Sequence, residues 1–281
     1  MLFQESLHRM NKSSSKALVE TSAVRAKVGP STPEHMQAFD RATASYTLYT
    51  SCYVRMEFVR RWICTFSEMA ITVARFDKVA AALVYLEQSF SPREVKAYIA
   101  CIAELESSGI SLTSDSAAEE FARSAFHWLR RFDRLFPSRI QNRSHCRRGN
   151  KVLDISSFAN ILDELASFTK SFRSPVTDCE VNRFLKLSNT KSEAYSLANK
   201  IAEKDVSCMK SLLKYVNQNT HITCTECERI GDVVIALEQT RSFTLAHIDN
   251  SFSYLCTARG MPNLQIPSLR TADKNERTEI G

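Results

Sequence analysis

The sequence predicts an all-α protein, an elongated bundle of long amphipathic, coiled-coil-like helices. Three observations carry that reading. The 281 residues contain only six glycines and seven prolines, too few to punctuate a sandwich, a barrel or a doubly wound sheet when average usage is roughly 7% and 5%. Apolar residues recur at steps of three or four from Phe39 through Ala42, Tyr46, Tyr49, Tyr53, Met56, Val59, Ile63, Phe66, Ala70, Val73, Phe76 and Ala80 to Leu83, which is the seam of an amphipathic or coiled helix. A second such seam joins Ile230, Val234, Leu237, Arg241, Leu245, Ile248, Phe252 and Leu255, and no run of six alternates in the manner of a strand.

Taken in order, residues 1–31 read as a flexible, Ser-rich N-terminal arm closed by the Gly29-Pro30 turn signal. Leu2, Phe3, Leu7 and Met10 would give a short membrane-inserting face, and Arg9, Lys12, Lys16, Arg25 and Lys27 a mitochondrial presequence, which Glu5 and Glu20 weaken. Residues 32–260 form the helical domain. Thr32-Pro33-Glu34 is a good helix start, since Thr caps, proline at the first position loses no hydrogen bond and an acid suits the positive end of the dipole. If Pro33 to Phe90 were one helix it would run about 87 Å; its weak point is Thr43 to Ser51, where Thr, Ser and Tyr lower helix propensity. Ser91-Pro92 restarts a helix that ends near Gly109, and another runs from Ser116 to Phe136. In the latter Phe121, Ala125, Trp128, Leu129, Phe132 and Phe136 share one face, and Arg123, His127, Arg130 and Arg134 the other. A helix from about Val152 to Phe172 precedes Ser174-Pro175, and a long hairpin or single helix reaches Gly260 and Pro262. Residues 261–281 read as a disordered tail.

Charge is distributed unevenly. The net charge is +6, yet His127 to Lys151 alone carries +7 and the remainder −1. This concentration points to an anionic partner, with Arg123, Arg130, Arg131, Arg134, Arg139, Arg143, Arg147, Arg148 and Lys151 as the contacting residues. Nine cysteines in a chain without a secretory signal read as reduced thiols and a cytoplasmic location. His221, Cys224 and Cys227 form H-x-x-C-x-x-C, half of a zinc site whose second pair is missing, so free thiols are expected there and no metal. Glu57, Glu68, Glu87 and Glu94 lack the E-x-x-H spacing of a di-metal bundle, and no Gly-rich phosphate loop, G-x-S-x-G or H-E-x-x-H occurs. The expectation is therefore a protein without a cofactor that catalyses nothing.

The long seams, the basic middle and the closing stretch from Glu228-Arg229-Ile230-Gly231-Asp232 through His247 to Leu255 resemble a BAR-type membrane-curving domain of the sorting-nexin class. That resemblance implies an antiparallel homodimer that lies on membranes from the cytoplasmic side and presents its arginines to acidic phospholipids. The alternatives are a helical nucleic-acid-binding or ribonucleoprotein subunit, in which the same arginines neutralise phosphates, and a structural coiled-coil adaptor.

Overall fold

A computed structural model of the chain describes residues 15–29, 33–76, 78–90, 92–107, 109, 116–153, 160–174, 180–218 and 224–268. It overturns the all-α expectation. Five strands, β1 (Ser15–Val19), β2 (Tyr46–Ser51), β3 (Ile140–Gln141), β4 (Phe243–His247) and β5 (Asn263–Gln265), form one parallel sheet in the order β3-β2-β1-β4-β5. Helices fill the connections: α1 (Thr21–Val28), α2 (Pro33–Thr43), α3 (Cys52–Phe58), a π turn (Val59–Ile63), α4 (Cys64–Phe76), α5 (Val79–Ser89), α6 (Pro92–Ser107), α7 (Ala117–Leu135), α8 (Ile161–Arg173), α9 (Glu180–Lys186), α10 (Ser188–Lys200), α11 (Met209–Gln218), α12 (Cys224–Arg229), α13 (Gly231–Glu238) and α14 (Asn250–Arg259).

Both predicted seams are interrupted by strands. The first breaks at its weak point, where Tyr46-Thr-Leu-Tyr-Thr-Ser51 pairs with β1 in the register Ser15↔Tyr46 to Leu18↔Tyr49; β-branched and aromatic residues pack better on a pleated surface than against a preceding helical turn. The second is a helix, a turn, β4 and a further helix in succession, and its three-four spacing simply continued across them. The arm assigned to residues 1–31 is also corrected, because Ala17, Leu18 and Val19 are buried in the central strand of the sheet and Thr21–Val28 is a helix. Likewise β5 and the buried Ile266 lie within the segment read as a tail. The coiled-coil and BAR-type readings fall with the long helices. The 87 Å seam gives way to the stretch Cys52–Phe76, about 37 Å at 1.5 Å per residue.

Scarcity of glycine did not exclude a doubly wound sheet, because polar side chains mark the strand-to-helix junctions. Glu20 caps α1, Ser51 caps α3 with Oγ accepting from Val54 N at 3.1 Å, and Asp249 caps α14. Glycine is needed where α14 stops: Gly260 has φ +64°, and the backbone then turns so that Met261 N donates to Cys256 O, the αL ending that a Cβ would strain.

The most extensive helix–helix packing joins α4 and α7. The face Phe121, Ala125, Trp128, Leu129, Phe132 and Phe136 is buried as its spacing predicts. Phe66 meets Trp128 edge-on with centroids 4.2 Å apart, and Phe58 stacks near Phe132 at 5.2 Å, geometries that favour the ring quadrupoles beyond simple burial.

Candidate functional site

From β1 the chain winds outward through β2 to β3, then returns to place β4 on the other side of β1. The connections therefore leave β1 and β4 in opposite directions, and in doubly wound sheets the crevice at the carboxyl ends of such a pair is where ligands bind. Glu20 follows β1 directly and is 1% exposed. Its backbone N donates to Ala246 O at 3.1 Å, and its carboxylate accepts from Ser22 N (2.5 Å), Ala23 N (2.8 Å) and Ile248 N (3.0 Å). One side chain thus ties the end of β1, the start of α1 and the chain leaving β4. Burial raises its carboxyl to about 8, with Asp232 adding repulsion and the backbone amides opposing the shift.

Three further carboxylates reach the same place from distant segments. Glu57, on α3 after β2, accepts from Thr21 Oγ1 at 2.5 Å. It is raised to about 7, chiefly by burial and then by Asp232, against the pull of Thr21, Arg61 and Arg60. Asp232, on the first turn of α13, accepts from Ser251 Oγ at 2.8 Å. Burial raises it, Asp249 repels it, and Ser251 and Arg61 favour its charged form. Asp249, two residues beyond β4, is exposed and accepts from Ser251 N at 2.9 Å. Gly231 makes room for this assembly: a Cβ there would lie 2.4 Å from Glu57 Oε1 and 3.4 Å from Tyr53 Oη. Among the described residues no group of three or more His, Cys, Asp or Glu side chains is arranged to hold a metal ion as it stands. Hydroxyls and backbone amides occupy the carboxylates instead.

Cations flank the carboxylates. Arg60 and Arg61 sit on the π turn that interrupts the helix just after Glu57, and such turns recur at functional positions. Arg60 pairs with Glu228 and is destabilised as a cation first by burial and then by the neighbouring Arg173 and Arg148. Arg173 pairs with Glu68 at 2.7 Å and Arg148 donates to Ser174 O at 2.5 Å.

The basic residues singled out by charge are not gathered into one patch. Arg131 donates to Lys27 O, Arg143 to the carbonyls of Leu237 and Glu238, and Lys151 to Ser171 O and Oγ. Arg147 pairs with Glu180 at 2.6 Å and Arg123 with Glu119 at 2.9 Å. Arg130 lies over the Phe126 ring, Arg134 donates to Arg130 O, and Arg139 is exposed at the turn before β3. Of the set, Arg148 alone is drawn into the electrostatics of the carboxylate site, through Arg60.

His221 of the H-x-x-C-x-x-C motif, and the side chain of Cys224, lie outside the described residues. Cys227 is buried, with Sγ 3.7 Å from Tyr53 Oη.

Sequence reasoning missed Glu20, Glu57, Asp232 and Asp249 because no local spacing unites them. A weaker signal exists for two of them: an acid stands just beyond a short apolar run in Ala17-Leu18-Val19-Glu20 and in Leu245-Ala246-His247-Ile248-Asp249. No protein-family model, curated protein or solved structure matches the chain. Among the described residues no helix is long and apolar enough to cross a membrane.

Proposed function

We propose that the protein is a divalent-cation-dependent phosphodiester hydrolase acting on nucleic acid, with its active site at the carboxyl ends of β1 and β4. The observation that carries this reading is the convergence of Glu20, Glu57, Asp232 and Asp249, from four separate segments, on the crevice where a doubly wound sheet takes its ligand. Burying mutually repelling carboxyls costs stability, and groups so perturbed in a crevice are functional candidates. The gathered carboxyls of Glu20, Glu57 and Asp232 make the crevice a place that attracts positive charge as they ionise. Small hard cations such as Mg²⁺ or Mn²⁺ prefer carboxylate oxygen and complete their shell with water and substrate phosphate.

Asp232, Asp249 and Glu57 would hold such a cation once the Thr21 and Ser251 hydroxyls turn aside. The cation would supply charge neutralisation at the phosphate and an acidified water. Glu20 is anchored by three amides and positions the two strand ends. A carboxylate of the cluster takes one proton from the attacking water as its oxygen bonds to phosphorus. The bond to the leaving sugar oxygen breaks, and that oxygen is protonated from solvent. Arg60 and Arg61, beside the carboxylates, would meet the flanking phosphates of a strand, in keeping with the dominance of phosphate contacts in such binding. This reading replaces the expectation of a non-catalytic module and retains nucleic acid as the anionic partner.

The test is cleavage of end-labelled single-stranded RNA and DNA by the full chain with Mn²⁺, Mg²⁺ or EDTA. Cleavage with either metal, absent in EDTA and reduced at least a hundredfold in Asp232→Asn and Glu57→Gln, is the expected result. Folded protein that neither cleaves nor shows a metal-dependent rise in melting temperature would overturn the reading. Gly231→Ala offers a steric check: the added methyl must displace the Glu57 carboxylate, a cost of about 1–3 kcal/mol for overpacking. It is expected to lower the melting temperature by several degrees while abolishing cleavage, and unchanged activity would show that Glu57 is not held where the reaction occurs.

A further inference from the structure

α10, the end of α14, the residues Gln239–Arg241 and Arg143 line an open pocket of about 380 Å³ that includes none of the four clustered carboxylates. α13 leads from Asp232 toward Gln239, α14 ends just ahead of β5, and Arg143 follows the carboxyl end of β3, so the pocket gathers residues from both ends of the sheet. We propose that it is a second anion site that binds a phosphate monoester the size of a mononucleotide. The proposal does not rest on hydrolysis at the first site.

Four cationic side chains, Arg143, Lys200, Arg241 and Arg259, line the cavity against one carboxylate, Glu193, which pairs with Arg259 at 2.7 Å. Two of the cations are fixed. Arg143 donates from Nη1 to Leu237 O and Glu238 O, and Arg259 donates to Ala236 O and Gln239 O. These bonds cover the carbonyl end of α13, whose partial negative charge would otherwise repel an anion, and they leave Nε and Nη2 of Arg143 as donors in the fork geometry that suits phosphate. The other two cations are exposed. Lys200 makes only a long 3.5 Å contact to Ala258 O, and Arg241 makes no hydrogen bond or ion pair among the described residues. Leu197, which is buried, and the half-buried Ala258 and Met261 complete the lining, the last two with apolar surface on which a ring can rest. The volume falls within the range of small-ligand pockets, and the excess of cations over carboxylates in its lining suits an anion.

The experiment is titration of the full chain with adenosine 5′-monophosphate, adenosine and inorganic phosphate by calorimetry in EDTA, which removes any cation bridge at the carboxylate end. Adenosine 5′-monophosphate is expected to bind, adenosine not to, and inorganic phosphate to bind at least tenfold more weakly. Arg241→Glu and Lys200→Glu should each weaken the nucleotide at least tenfold with the melting temperature unchanged, since both side chains face solvent. No binding at millimolar nucleotide, or binding that neither substitution alters, would overturn the site. Phosphate binding as tightly as the nucleotide would overturn the role given to the apolar wall.

Discussion

Gly149→Ala is expected to prevent stable folding, or to lower the melting temperature by at least about 10 °C. A Cβ at this position would fall 1.7 Å from the Cys52 carbonyl oxygen, a backbone atom at the start of α3 that is fixed by the strand before it and the helix after it. No rotamer relieves such a clash, so the turn Arg147–Asn150 must lift away from α3. Lifting it also takes two acceptors from Arg55, which is 4% exposed and donates from Nη1 to Gly149 O at 2.8 Å and Lys151 O at 2.7 Å, and leaves it the Asp133 carboxylate, met by Nε at 3.1 Å. The unmet donors cost about 1–3 kcal/mol and the steric displacement about 1–3 kcal/mol more, and about 4 kcal/mol in a chain of this size corresponds to roughly 8–16 °C. Asn150→Ala, one residue on at an exposed position, is the control and should melt within a degree or two of the wild type. Equal melting of Gly149→Ala and the wild type by circular dichroism would show that the loop does not pack as described.

The same packing explains what the charge excess of residues 127–151 does in the fold. Arg131, Arg143, Arg147, Arg148 and Lys151 are bound to carbonyls or to a carboxylate, so a run that reads in sequence as a contact for an anionic partner also closes segments of the fold onto one another. Linear charge counts cannot distinguish these cases, because the acceptors are backbone carbonyls that carry no sequence signal.

The helices were legible where both faces were distinct, as on α7, whose aromatic stripe and arginine face separate cleanly and whose ends fall at Ala117 and Leu135. The sheet was not. Its strands are of two to six residues, and the central one is buried on both faces, so it shows a short apolar run in place of alternation. Such runs fit a helical seam as well as a strand until the parallel partner is known, and the partners of β1 lie about 30 and 230 residues away along the chain. The carboxylate site was illegible for the same reason. Glu20, Glu57, Asp232 and Asp249 share no spacing, and only the sheet order makes them neighbours.

In EDTA the protein is expected to lose stability as pH rises from 5 to 8, and millimolar Mn²⁺ or Mg²⁺ to restore it at pH 8 with little effect at pH 5. The sign follows from the proton inventory. Glu20 and Glu57, ordinarily near 4.5, are raised to about 8 and about 7 in the folded chain. Between pH 4.5 and 8 the folded state therefore holds protons that the unfolded state has released, so stability falls with rising pH across that window and levels off above it. For a group as fully buried as Glu20 the change is on the order of several kcal/mol, enough to move the melting temperature by about 10 °C. A cation that enters the cluster takes the place of those protons, so its binding at pH 7 should release protons, measurable by calorimetry in buffers of different ionisation enthalpy. Glu20→Gln should flatten the pH dependence. Its remaining oxygen keeps the acceptor position used by Ala23 N and Ile248 N, while the amide facing Ser22 N lowers stability by a constant amount at every pH. A melting temperature that is flat from pH 5 to 8 in EDTA would show that these carboxyls ionise as ordinary surface acids do. A cation effect equal at both ends of that range would show that metal binds elsewhere.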